Sequence, residues 1–234
     1  MVASTPLLAA AVLHPDTWVV IPLYNEQTVI TGVIAELLQS FTHIVCVDDG
    51  STDDSAAVAG TAGARVITHP HNLGQGAALQ TGISYAREQT GCGFIVTFDA
   101  DGQHRVVDAE AMVELARTDD VSIVFGSRFL DDRTKPGLAK KIVLKTAVAV
   151  TNLTTGLTLT DAHNGLRVLR IDAARAVNLK QDRMAHASEI VAQLGRSRLT
   201  WREFPVEVLY TDYSKAKGQS LLNSINILVD LIIN

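Results

Sequence analysis

The sequence predicts a single α/β domain built on a mixed, mostly parallel sheet flanked by helices. Short β-rich apolar runs alternate with segments of helical spacing, and most of the runs end in turns rich in Asp, Gly and Ser. The 234 residues are 47% apolar and 19% charged, an ordinary balance for one sizeable core.

The elements come in order along the chain. "TWVVIPLYNE" (17–26) is a buried strand that breaks at Pro22. The next segment carries Val29, Ile30, Val33, Ile34, Leu37 and Leu38 at helical spacing. "THIVCVDDGSTDDS" (42–55) is a second strand running into a turn, with Thr52 or Asp53 placed to cap a helix through Gly60. "ARVITHP" (64–70) is a third strand, and "NLGQGAALQTGISYAREQ" (72–89) a glycine turn opening a helix. "GFIVTFDADGQH" gives the fourth strand, "VVDAEAMVELAR" a helix and "VSIVFGSRFL" (121–130) the fifth strand.

The second half has a different rhythm. Residues 139–157 read as a helix with a basic start, 161–170 as a turn and short strand, 184–196 as a helix and 199–210 as an edge strand. The closing 221–234 is amphipathic and, at about fourteen residues, too short to span a bilayer. It is expected to dock on the core in preference to a membrane interface. With no repeat or linker, the division is an N-terminal arm (1–16) and one domain over 17–220. Within it, 17–125 forms a nucleotide-sugar half and 126–220 an acceptor half.

A net charge of −5 argues against a nucleic-acid binder. Cys46 and Cys92 lie in or beside apolar runs, as free thiols of a reducing compartment do. No apolar run reaches the length of a spanning helix, and the N-terminus lacks the positive region of a signal peptide. A cytoplasmic protein is expected, with peripheral association at the inner face of the membrane left open, as is pairing into a homo-oligomer through the "EFPVEVLY" edge.

Four stretches carry chemistry. After the first strand, "IPLYNE" has no glycine, which excludes a dinucleotide-binding fingerprint. There Pro22 and Tyr24 could form a shelf for a base or ribose and Glu26 accept from hydroxyls, or the stretch is simply a strand-exit turn. Asp48 and Asp49 end the second strand, where an acidic residue can hold a ribose or base edge. An Asx turn with a helix cap accounts for Ser51 to Ser55 but not for two successive carboxylates at the strand end. Gly74 and Gly76 could present amides to an anion or allow close packing. "HPH" (69–71) is a poor metal pair because its proline splays the rings.

The fourth stretch is "FDADGQH" (98–104). Asp99 and Asp101 point the same way on extended backbone, at the end of the sheet where ligands bind. Two close carboxylates repel unless a cation lies between them. With Gln103 they form an all-oxygen donor set suited to Mg²⁺ and phosphate oxygens, and no Cys or His set suggests zinc.

"IPLYNE", "VDDGSTDDS", "NLGQGAAL", "FDADGQH", "GSRF", "DAHNGLRVL" and "YSKAKGQS" together resemble the family 2 glycosyltransferases, nearest the polyprenyl- or dolichyl-phosphate mannosyl- and glucosyltransferase branch. The resemblance covers about residues 17–220. It implies the GT-A fold, a nucleotide-diphosphate sugar donor (UDP- or GDP-hexose) and Mg²⁺ or Mn²⁺ held by Asp99, Asp101 and Gln103. It also implies a nucleotide site lined by Pro22, Tyr24, Glu26 and Asp49. Ser127 and Arg128 match the loop that meets a lipid phosphate, followed by basic residues that include Lys141. Lys217 and Gln219 match a segment closing over the donor phosphates. Relatives that glycosylate a sugar hydroxyl use a carboxylate base, for which Asp161 and Glu189 are the candidates here.

The function expected is inverting, metal-dependent transfer of a hexose to a polyprenyl phosphate, or to a hydroxyl of a lipid-linked glycan. A nucleotidyltransferase would want a Gly-rich basic loop after the first strand, which is absent. A non-catalytic nucleotide-sugar binder would not need the complete oxygen-donor set.

Overall fold

The computed structural model describes residues 13–131, 148, 151–153, 155–182 and 185–209. Its strands are β1 (Thr17–Leu23), β2 (His43–Asp48), β3 (Arg65–Thr68), β4 (Phe94–Thr97), β5 (Ile123–Ser127), β6 (Arg167–Arg170) and β7 (Trp201–Pro205). The helices are α1 (Ile30–Leu37), α2 (Ser55–Thr61), α3 (Gln75–Arg87), α4 (Val106–Thr118), α5 (Ile171–Ala176) and α6 (His186–Arg196). α5, six residues after a short strand, is too brief to show a periodicity in the sequence.

The strands form one seven-stranded sheet in the order β3-β2-β1-β4-β6-β5-β7. All neighbours are parallel except β6, which lies antiparallel between β4 and β5. β7 occupies the edge, as its alternation predicts.

Period-two alternation sorts the strand side chains onto two buried faces. Val19, Ile21 and Leu23, with Val96, Phe98, Val124 and Val168, pack against α1 and α4. Val20, Ile95, Ile123, Phe125 and Leu169 pack against α3, α5 and α6. Helices thus cover both faces, which is why the central strands are apolar on both sides. Of the predicted α1 stripe, Ile30, Val33, Ile34 and Leu37 are buried, while Val29 is half-buried before the helix and Leu38 is exposed after it.

Of the stretch read as an arm, His14 is buried and stacked on Phe41 at 5.2 Å, and its N–H donates to Ser40 O. The loop after β1 is clamped to the loop after β2. Asn25, in the left-handed region at φ 53°, accepts from Thr52 N–H, while Ser51 and Ser55 hydroxyls accept from Asn25 and Glu26 N–H. Asp53 accepts the Ser55 N–H just ahead of α2, but the N-cap itself is Asp54, whose side chain makes no cap hydrogen bond, and not Thr52 or Asp53. The acidic, hydroxyl-rich run thus serves mainly to fix two loops at the carboxyl end of the sheet.

Candidate functional site

The carboxyl ends of β1, β2 and β4 place Tyr24, Glu26, Asp48, Asp49, Asp99 and Asp101 along one edge. Pro22 is half-buried within β1, paired with Val47, and Tyr24 beyond it is exposed.

Asp99 is the organised member of the acidic pair. His104 donates from Nε2 to Asp99 Oδ2 at 2.8 Å, and the His104 ring stands edge-on to Phe98 at 5.4 Å. His104 is itself held by backbone pairing with Val208. Burial works against the Asp99 charge, but the His104 hydrogen bond and the charges of His104 and Arg167 hold its carboxyl below the usual range. Asp101 behaves oppositely. Burial and the neighbouring Asp99 charge push it up to about 6, with Glu26 adding to the rise. Its Oδ1 accepts the Gln103 N–H at 3.0 Å, which fixes the turn.

These residues fit a hard divalent cation. The repulsion by which Asp99 raises Asp101 is relieved by a positive charge, and the donors are all oxygen. Among the described residues no group of three or more His, Cys, Asp and Glu is gathered as a metal site. Asp99 and Asp101 by themselves would make only part of a shell, of the kind Mg²⁺ shares with waters and substrate phosphates.

The antiparallel β6 brings the 161–167 segment against this pair. A Cβ on Gly165 would lie 2.4 Å from Asp99 Oδ2, so only glycine fits beside that carboxylate. The clash is with a side chain and the Gly165 φ is ordinary, so Gly165→Ala should turn Asp99 aside without unfolding the domain. The expected result is at least tenfold weaker Mn²⁺-supported nucleotide binding by calorimetry, for a stability loss of about 1 kcal/mol.

Next along the segment, Arg128 forks onto Asp161: Nε–Oδ2 is 2.6 Å, Nη2–Oδ1 is 2.8 Å, and the Arg128 N–H also donates to Oδ2. Burial opposes the Asp161 charge, but Arg128 outweighs it and holds the carboxyl below the usual range. Glu203 of β7 anchors the same turn, accepting from Thr160 N–H and Oγ–H and from Asp161 N–H. Ser127 is fully buried, its hydroxyl shared with Thr160 Oγ1 at 2.6 Å and accepting the Phe129 N–H. In this conformation it shapes the turn and faces inward.

Several sequence-selected residues have structural partners. Asp49, buried, accepts from His69 Nδ1 and from the Leu73 and Gly74 N–H groups, and so pins the 69–74 loop. Asp48 accepts the Ser51 N–H. The Gly76 N–H donates to Asp182 O, and a Cβ there would lie 2.0 Å from Gln181 O. Gly76 is thus packed closely against Gln181, Asp182 and His186. Glu189 accepts the N–H groups of Lys180 and Gln181 and the Gln193 side-chain amide, so it braces the same segment. Lys141, Lys217, Gln219, the other predicted basic positions (Arg133, Lys135, Lys140, Lys145) and the C-terminal helix 221–234 lie outside the described residues.

Residues the sequence did not single out also meet here: Arg167, His163, Asn164 and His104's role as holder of Asp99. Their signal was their presence in "DAHNGLRVL" and "DGQH", from which only the carboxylates and the amide were drawn. His163 is nearly enclosed, with Nε2 3.3 Å from Ser188 Oγ and Nδ1 unpartnered. Burial pushes it down to about 4; Asp161 opposes the shift, while Arg167 and Arg128 favour it. The unfolded chain therefore takes up this proton first, and stability is lost as pH falls from 6.5 toward 4. The expected contribution is at most about 3 kcal/mol. Urea unfolding at pH 7 and pH 5 checks it, and His163→Gln should flatten the difference.

Residues 18–177 match the family model described as glycosyl transferase family 2. The chain belongs to glycosyl transferase family 2. This glycosyltransferase is 34% identical over 222 residues to an uncharacterized protein of Methanocaldococcus jannaschii, covering 93% of this chain and 91% of that one. It is 29% identical over 237 residues to the UDP-N-acetylglucosamine–dolichyl-phosphate N-acetylglucosaminyltransferase of Methanococcus voltae, covering 92% and 94%. Among solved structures it resembles glucosyl-3-phosphoglycerate synthase from Mycobacterium tuberculosis in complex with Mn²⁺, UDP and glucosyl-3-phosphoglycerate. The TM-score is 0.66 at 18% identity, covering 93% of this chain and 80% of that one. At that identity the likeness is one of fold, and the fold is GT-A, as the motifs imply. Among the described residues, no helix of the glycosyltransferase is long and apolar enough to cross a membrane.

Proposed function

We propose that this glycosyltransferase moves a hexose, with inversion and metal dependence, from a nucleotide-diphosphate sugar to a polyprenyl phosphate. The observation that carries the reading is the juxtaposition around Gly165. An oxygen-donor pair suited to a divalent cation stands against one end of a segment whose other end holds the Arg128–Asp161 fork. The names of the relatives support it. One acts with a UDP sugar on dolichyl phosphate, and another, from Trichomonas vaginalis, is a dolichyl-phosphate β-glucosyltransferase.

On this reading Asp99, Asp101 and Gln103 hold Mg²⁺ or Mn²⁺. When bound, the ion supplies Lewis-acid stabilisation of charge on the departing nucleoside diphosphate. Pro22, Tyr24, Glu26 and Asp48 line the nucleotide side, with Asp49 fixing the loop beneath. Arg128, with Lys141 beyond it, receives the acceptor phosphate, while Lys217 and Gln219 close over the donor. The acceptor oxygen attacks the anomeric carbon from the face opposite the leaving group. A phosphate acceptor is already ionised at neutral pH, so the site needs to orient it without a strong base. That fits the commitments of Asp161 to Arg128 and of Glu189 to the 180–181 backbone. A sugar-hydroxyl acceptor would need one of these carboxylates released.

Incubation with sugar-labelled UDP- or GDP-hexose, Mn²⁺ and a short-chain polyprenyl phosphate tests the proposal. The expected product is an acid-labile glycolipid extracted into organic solvent, formed with one nucleotide class and lost in EDTA. Transfer that persists in EDTA would contradict the metal assignment. Labelling only of glycan hydroxyls would replace the acceptor.

A further inference from the structure

Arg167 is the buried cation of this site whose hydrogen-bonding capacity remains uncommitted. It is the first residue of β6, in register with Thr97 of β4 and Phe125 of β5, and only 3% exposed. By alternation it shares the face of Leu169, two residues from Gly165, whose carbonyl accepts the Thr97 hydroxyl at 2.6 Å. Asp99 and Asp161 both attract its charge and Arg128 repels it, so Arg167 is near enough to feel both the metal-type pair and the Arg128–Asp161 fork.

Among the described residues its guanidinium makes neither a hydrogen bond nor an ion pair. The two carboxylates offset its charge at longer range, but five directional N–H donors are satisfied only by acceptors in contact. The sealed polar atoms without partners are His104 Nδ1, His163 Nδ1 and Asn164 Nδ2. The Arg167 nitrogens are not among them, so they are not fully sealed. Arg128 contrasts with it, since its fork is closed on Asp161.

We propose that Arg167 is an oxyanion-binding residue of the transfer site, donating to a phosphoryl group that lies between Asp99 and the Arg128–Asp161 pair. A guanidinium fork matches two phosphoryl oxygens, and enclosure by the sheet makes the interaction stronger than at a surface. Burial lowers the Arg167 pKa to about 10, which still leaves it charged at neutral pH. The proposal rests on the donor–acceptor reading above. The phosphoryl group belongs either to the nucleoside diphosphate or to the lipid phosphate.

The test compares the unaltered protein with Arg167→Gln by calorimetry, titrating UDP and GDP with Mn²⁺ and, separately, a soluble isoprenyl phosphate. A loss of tenfold or more for the nucleotide alone assigns the donor phosphate, and the same loss for the isoprenyl phosphate alone assigns the acceptor. Losses for both place the group at the junction. Unchanged affinity for both probes in a folded variant overturns the proposal. If Arg167→Gln does not fold, Arg167→Lys keeps the charge but loses the fork. It should still weaken one probe at least threefold, and no change would overturn the proposal equally. If the unaltered protein binds neither probe even with Mn²⁺, the functional reading itself fails and the proposal falls with it.

Discussion

Asp101→Ala is expected to abolish Mn²⁺-dependent nucleotide binding and to lower transfer by about a thousandfold, the scale of removing one main electrostatic stabiliser. The same change should leave stability equal or slightly raised. Asp101 is held at an unfavourable charge by burial, Asp99 and Glu26, so its removal relieves repulsion in the metal-free protein. This pairing of lost function with retained stability separates a ligand-holding role from a turn-forming one. Asp101→Asn should behave like Asp101→Ala in binding, because a neutral amide keeps the turn but loses the charge. The measurements are calorimetry with Mn²⁺ or EDTA and thermal unfolding of all three proteins in EDTA. A variant that unfolds early but binds normally when folded would assign Asp101 to the turn alone.

Arg128→Ala should produce the largest stability change, about 3–5 kcal/mol, because it leaves the Asp161 carboxylate buried without its partner. The Asp161 side chain is 1% exposed, so water offers no substitute for the two guanidinium donors lost. Arg128→Met with Asp161→Leu removes both charges and should recover most of that loss, as apolar replacement of buried pairs does. Transfer to lipid phosphate should stay depressed in the double variant while nucleotide affinity stays within about threefold of the unaltered protein. Urea unfolding at pH 7 and separate KM values for donor and acceptor check both halves. If the double variant restores transfer as well as stability, the fork is a packing device and the acceptor contact lies elsewhere.

The sheet was largely legible because its signal is local. The α1 stripe, the apolar alternation of β1, β2, β4 and β5, and the acidic turn after β4 each lie within one short window. The Asp99–Asp101 pair was legible for the same reason, since two residues apart on extended backbone fixes their common direction. The roles of Asp49, Glu189 and Ser127 were not. Their side-chain types suggested ligand chemistry, yet Asp49 holds a loop more than twenty residues away, Glu189 a loop eight or nine residues before it and Ser127 a hydroxyl 33 residues on. A carboxylate at a strand end looks the same in a sequence whether it meets a ribose or a backbone amide.

By itself, then, the sequence determined that this chain folds as a mostly parallel α/β sheet with an oxygen-donor pair at its ligand-binding edge, because periodicity and turn chemistry act over a few residues. Only the tertiary structure decided that β6 runs antiparallel between β4 and β5. That single placement sets Gly165 against Asp99, closes Asp161 onto Arg128 across 33 residues, and leaves Arg167 buried at the start of β6. Strand order and direction are chosen by the packing of the whole core, where no local pattern states which distant residues will meet.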